Sequence, residues 1–534
     1  MSEPTETGRS RREVREQGRR RRRVRRVATA VSGGALLAAA VAVPVAGEVW
    51  APASSEVGPA AVPVTAATVT QVCQGPPRLA TALAGEDLGY DEFDPAGSGT
   101  RTVLDVLTLG REGRPPGALH LHRSLDAATG EELPRAGDAR LGHLTGEGRP
   151  ARLAADPEDG VVALVTGTGV SVTESGDLRG LTATPCLTPV ASAWLVGGST
   201  EPGNSAQLVL SNAGETPATV TLTGWGSTGP LDLTAAGAVL VPPGEQRVVL
   251  LEALVTDPRP AVLVEASGGE VTAVVQDSRL RGLVPAGTDL VGPTVAPAET
   301  VVVPGVFLGA SSGEGPDAPA VRVVNPGEEP VTAQVELLGQ DGPVAVPGAD
   351  ALVVDPGAVA EVSLAGMPEG TWSVVVSGDG PLTAAAVSTS VGRAGEADPE
   401  NPPVERAWTP ATPELAAGVL AVPDELVRGV SLVVANPSDG AVQVELVPVL
   451  ADGTRGGAVT RTLEPGTSLR EEVRELAEEP VVALELRAPD GVVHAAVVLS
   501  GAAPDGNLLS VVPVTEDPHA ARAVDIAPTL RTLR

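Results

Sequence analysis

The chain has no lysine in its 534 residues, and every strong side-chain cation is an arginine. That excludes a phosphate loop of the G-x-x-x-x-G-K type, whose lysine reaches the phosphates. Aromatic residues are nearly as scarce, with five tryptophans, two phenylalanines and one tyrosine, so valine, leucine and alanine have to pack any core. There are two cysteines, Cys73 and Cys186, too few for a disulfide-framework miniprotein or a four-cysteine zinc site. No stretch carries a helical period long enough to compete with the short Val- and Leu-rich runs that fill the chain.

Glycine and proline are plentiful, 63 and 50 residues, and they punctuate those runs as turn residues. The punctuation repeats. Aligning Asn212, Asn325 and Asn436 sets SNAGETPATVTLTGWGSTG, VNPGEEPVTAQVELLGQDG and ANPSDGAVQVELVPVLADG under one another, 113 and 111 residues apart. A Pro-Gly pair follows each asparagine by 31, 31 and 29 residues, ending in Gly244, Gly357 and Gly466. The runs VTAVVQDS, LTAAAVST and VHAAVVLS close each copy, 111 residues apart each time. A period above a hundred residues means tandem domains, since solenoid repeats run to roughly 20–50. Within the copies apolar and polar residues alternate: Val331, Ala333, Val335 and Leu337 are interleaved with Thr332, Gln334 and Glu336. That is the pattern of a strand with one buried face. Asn325-Pro-Gly327 and Asp341-Gly342 read as turns, with glycine available for a positive φ. About seven such strands per copy predict an all-β chain of tandem immunoglobulin-like β-sandwich domains.

The N-terminus predicts export. Residues 1–26 hold eleven arginines against four glutamates, and residues 27–47 are free of charge. A basic flank before an apolar run is a secretory signal or a membrane anchor with its arginines inside. Ala51-Pro52-Ala53 offers a cleavage site and Trp50 an interfacial anchor, so both readings stay open. The chain's net charge is −30, which leaves about −37 on the exported part and argues against nucleic acid as a partner. The expected order is a basic cytoplasmic segment (1–26), a signal or transmembrane helix (27–47), an Ala/Pro-rich tether (48–71), and an N-terminal β-rich domain unlike the others (72–189). Three sandwich repeats follow (190–290, 291–395 and 405–515), then a tail (516–534). The Pro/Gly-rich stretches beginning at Arg279 and Gly392 read as linkers. In an oxidising compartment Cys73 and Cys186, at the two ends of one domain, are expected to form a disulfide.

Chemistry is thin. GASSG at 309–313 matches the nucleophile elbow around Ser311, but EGPDAP follows and does not start the helix an elbow needs, so a loop serine is the preferred reading. His120, His122 and His143 could supply three metal ligands without any spacing that demands it. Asp91, Glu92 and Asp94 lack the order of a calcium loop and read as a solvated turn. Trp194, Trp225, Trp372 and Trp408 are expected in cores rather than on a sugar-binding platform. No catalytic residue, metal or cofactor is assigned.

AWLVGGST from Ala193, the Asn-x-Gly strand turns, VLVPPGEQRVVLL from Val239 and RGLVPAGTDLVGPTVAPAETVVVPGV from Arg281 resemble a family of actinobacterial envelope proteins catalogued as a domain of unknown function, number 5719. The likeness runs from about Cys73 to Val514. It implies an exported, usually membrane-tethered protein and brings no activity or site residues. The expected function is a non-enzymatic envelope protein that carries its domains outward from the membrane in a row and displays them to a protein or polysaccharide. The alternative is an accessory subunit of an envelope enzyme such as a glycosyltransferase, and a serine hydrolase using Ser311 is a remote third.

Overall fold

The structure is a computed structural model that describes residues 60–61, 66–79, 99–111, 113–146, 148–395, 399–517 and 525–526. These fall in two compact units. In one, Ala60–Ala61 pairs antiparallel with Asp525–Ile526; the other, Thr65–Arg522, holds everything else. The described residues form antiparallel sheets, with helix only as three-residue 3-10 turns. None of them forms a helix long and apolar enough to cross a membrane, and residues 27–47, 91, 92 and 94 lie outside the described set.

The alternation seen in the sequence sets the register. Val331, Ala333, Val335 and Leu337 are buried while Thr332 and Gln334 are exposed, as a strand covered on one face requires. The first repeat has eight strand positions: Ser192–Val196, Asn204–Ser211, Ala218–Gly226, Gly229–Leu231 (with Val239–Val241 beside it), Gln246–Leu250, Ala261–Ser267, Thr272–Arg281 and Val284–Val291. Counted in that order, one sheet runs 1-6-3-4 and the other 5-2-7-8. The third repeat, from Ala417–Ala421 to Gly506–Pro513, has the same two orders. So does the second, where the 22-residue strand Gly370–Val391 serves as both sixth and seventh strand and joins the sheets.

Three expectations are corrected here. The N-terminal domain is not unlike the repeats: Val69–Cys73, Ala151–Ala155, Leu119–His122 and Glu131–Glu132 give the 1-6-3-4 order, and Ala139–Thr145, Thr100–Leu109, Leu164–Thr173 and Gly180–Pro185 give 5-2-7-8. It is a fourth module of the same topology. Each of the two linkers contains or runs into a strand. Val284–Val291 pairs with Thr272–Arg281 as the last strand of the first repeat. Val404–Pro410 pairs with 385–391 as the last strand of the second, which carries that module past residue 405. Finally, the modules do not stand in a row.

They close a ring. The eighth strands of the four modules meet at its centre: Gly180–Pro185 lies against Val284–Val291, that strand against Val404–Pro410, that against Gly506–Pro513, and the last against Gly180–Pro185 again. At the periphery each module's Pro-Gly turn, or its equivalent, receives the hairpin of the module before it. Gly244 faces Asp126, Gly357 faces Pro230, Gly466 faces Pro343, and Gly137 of the N-terminal module faces Gly453 of the third repeat. That last contact closes the circle, with Asp138 N–H donating to Gly453 O at 2.9 Å and Arg455 donating to Gly110 O at 2.7 Å. The cores run on across these boundaries. Val324, Val387 and Trp408 of the second repeat join the core of the first, and Val170, Val172, Leu181 and Ala183 of the N-terminal module join that of the third. At about 1.5–3 kcal/mol for each fully buried valine or leucine, such seams tie the modules firmly.

Candidate functional site

The repeat markers are scaffold. Asn212, Asn325 and Asn436 are fully buried, and each amide fastens its turn to the strand that precedes the Pro-Gly pair. Asn325 Nδ2 donates to Glu329 O at 2.8 Å and Val354 O at 3.1 Å, while its Oδ1 accepts Gly327 N–H at 2.9 Å. Asn212 makes the matching bonds to Thr216 O, Val241 O and Gly214 N–H. Asn436 makes them to Gly440 O, Leu463 O and Ser438 N–H. This reach explains the nearly constant distance between the first two markers. Gly244, Gly357 and Gly466 have φ of 72°, 65° and 65°, the left-handed region a Pro-Gly turn asks of glycine. Gly327 is not in that region; it serves through its N–H instead.

Cys73 and Cys186 form a disulfide, which ties the first strand of the N-terminal module to the end of its eighth. Ser311 sits in a turn followed by a 3-10 helix of three residues, Gly315–Asp317, and its Oγ shares a hydrogen bond with Ser390 Oγ at 2.8 Å; the elbow helix is not there. The three histidines are not brought together. His120 lies 3.8 Å from Asp156, and His122 is bonded to Ala127 O and Arg152. His143, on the other sheet, is bonded to Asp105 at 2.7 Å. Burial pushes the Asp105 carboxyl up, and its hydrogen bond raises His143. Among the described residues no three His, Cys, Asp or Glu side chains are grouped to hold a metal. Trp194 stacks on Trp225 at 4.7 Å, with Trp225 buried. Trp372 is half-buried and donates to Pro368 O. Trp408 lies at the ring centre.

That centre is the region the sequence reading missed, and it carries the protein's most unusual groups. Eighth strands are sheet edges, so their outer N–H groups have no ladder partner from their own module and need acceptors elsewhere. Glu405, wholly buried, supplies them. Its Oε1 accepts Leu181 N–H at 2.8 Å and Leu509 N–H at 3.2 Å, and its Oε2 takes Arg179 at 3.3 Å, so one carboxyl joins three modules. Arg179 also forks onto Asp505 at 2.6–2.9 Å. Burial pushes Glu405 up to about 8, against Arg179 and the two amides, which pull it down. Asp289 Oδ2 accepts Trp408 N–H at 2.6 Å, and Asp277 Oδ2 accepts Trp408 Nε1–H at 2.9 Å; desolvation holds Asp289 well above the usual carboxylate range. The Arg322 guanidinium lies 4.8 Å from the Trp408 ring centre, within cation–π range. These polar groups lock the junction. Charged residues inside VERAWTP and GTDLV were the available signal, and the Pro/Gly context hid it.

Beside the lock is a cavity of about 180 Å³. Pro185, Leu290, Trp408 and Val511 line it, and they are equivalent positions of the four eighth strands, paired with Thr168, Gln276, Val387 and Val498 on the seventh. Pro410, Pro513, Cys186 and Gln71 complete much of the wall.

No curated protein sequence matches the chain. A solved structure titled "Biofilm associated protein - BSP domain" is similar at 10% identity, covering 87% of this chain and 99% of its own, with a TM-score of 0.12, too low to carry an argument. The model of the family described as "Family of unknown function (DUF5719)" matches residues 143–474, more than half of the sequence, and the chain belongs to that family.

Proposed function

We propose that the chain is a non-enzymatic, exported envelope protein whose four β-modules form a fixed ring that presents surface to a protein or polysaccharide partner. The observation that carries this reading is the closed circuit of contacts between modules, locked at the centre by Glu405 and at the rim by the Asp138–Gly453 bond. A ring holds its outward faces in set positions, which suits display and rigid docking. The Cys73–Cys186 disulfide supports an oxidising compartment. Residues 27–47, basic-flanked and uncharged, are the proposed anchor or signal, with the bulk outside the membrane.

Each module is, in this reading, an immunoglobulin-like β-sandwich with its outer strands exchanged. The 2–5 and 3–6 neighbours match the B–E and C–F pairs of that fold, while the first strand sits beside the sixth and the seventh beside the second.

Crosslinking the protein in its native membrane and identifying what is captured tests the reading. An envelope protein or glycan bound to the outer faces supports it. An enzyme captured in fixed one-to-one proportion replaces it with the accessory-subunit alternative, and sequencing the mature N-terminus decides between anchor and cleaved signal.

A further inference from the structure

The central cavity combines features of a built binding site. Its four quasi-equivalent wall residues, Pro185, Leu290, Trp408 and Val511, come from four different modules, so the space exists only in the closed ring. Proline at four wall positions, Pro185, Pro293, Pro410 and Pro513, stiffens the wall and removes N–H donors from it. Trp408 is held from several sides: its main-chain N–H by Asp289, its indole N–H by Asp277, and its ring by Arg322. An aromatic ring fixed in this way costs little further ordering when something packs beside it. Among so few aromatic residues, the placement of one against a void is notable for what the void lacks: the residues lining it include no Asp, Glu, Arg or His.

Size and polarity select the occupant. An apolar cavity of about 150 Å³ takes benzene, and this one, at about 180 Å³ with a mostly apolar wall in which Gln71, Thr184, Thr188 and Thr515 are the polar members, has room for a ring or branched hydrocarbon of about six or seven carbons on that scale. A charged group is disfavoured because nothing in the wall would pair with it. The half-buried rim residues Thr515 and Leu187 leave a way in from solvent. We propose that the ring centre is a binding site for a small apolar molecule with an aromatic or branched hydrocarbon ring, packed against Trp408 and Leu290. This goes beyond the scaffold reading and does not depend on which partner the outer faces meet.

The test uses the full chain with toluene as probe, followed by calorimetry and by tryptophan fluorescence. Saturable one-to-one binding with a rise in melting temperature is expected. Val511→Phe and Leu290→Phe, which fill the cavity from two different modules, are each expected to weaken toluene at least tenfold while circular dichroism stays that of the parent. If either variant fails to fold, the other still decides. Glucose at the same concentrations is the polar control and is expected not to bind. The proposal is overturned if toluene leaves the parent chain's melting and fluorescence unchanged, or if a folded filled-cavity variant binds it as tightly as the parent.

Discussion

An asparagine at position 325 works because its amide is both donor and acceptor in a place where the backbone supplies unpaired groups of both kinds. Nδ2 faces the carbonyls of Glu329 and Val354, and Oδ1 faces the N–H of Gly327, with the asparagine itself fully buried beneath the turn. Asn325→Ala should therefore cost about 2–4 kcal/mol, counting lost bonds and the buried groups left unpaired, measured by guanidinium unfolding. Asn325→Asp should be at least as damaging despite its equal size, because a carboxylate oxygen would then confront two carbonyls. Glu405 makes a different prediction. Its carboxyl is raised to about 8 in the folded protein against about 4.3 in an unfolded chain, so between those values the folded state holds the extra proton. Stability then falls as pH rises through that window and is flat below it. Glu405→Gln keeps an acceptor for Leu181 and Leu509 and removes the titration. Denaturation midpoints between pH 5 and 8 should slope downward for the parent and less steeply in the variant, where the raised Asp289 carboxyl still contributes.

Strands with one wet face were legible because alternation is a local signal: residues 331–337 announce their burial without reference to anything else. The eighth strands were not. Val284–Val291 contains Pro285 and Gly287, and Val404–Pro410 follows a Pro/Gly-rich stretch, so both read as linkers. Proline is tolerated there because an edge strand has a side with no ladder to complete. The N-terminal module hid its kinship for a related reason. At the position of the marker asparagine it has Gly110, which donates its N–H to Asp138 O as Asn212 does to Glu245 O and whose carbonyl is served by Arg455 from the third repeat. A contact from another module thus replaces a local one, and no local pattern records it. Its disulfide was legible from the number of cysteines and the compartment the N-terminus leads one to expect. Cys73→Ser should destabilise this module by about 4–5 kcal/mol in the chain-entropy model, given 113 residues between the cysteines. Hydrogen exchange should show the loss first in Val69–Cys73, which pairs with Ala151–Ala155 on one side and on the other is bridged to Leu187, beside the disulfide, through Val72.

A ring differs from a row in how damage spreads. In a row each module answers only to its neighbours, and a broken contact at one end is not felt at the other. Here the eighth strands form a closed circuit, and Glu405 holds main-chain groups of two other modules at once, so loosening one junction strips acceptors from the next. Gly453 is the place to try it: its φ is 78° and a Cβ there would run into Ala136 across the closing contact, while the residue itself lies in a hairpin outside the core of its own repeat. Gly453→Val should therefore leave the third repeat folded but force the N-terminal module away from it. Hydrogen exchange followed by mass spectrometry should then show faster exchange not only at residues 136–138 but at Leu181, Trp408 and Leu509, around the whole centre. Acceleration confined to the 136–138 and 451–455 segments would mean that the modules hold together pairwise, and that the circuit seen in the fold is not an energetic one.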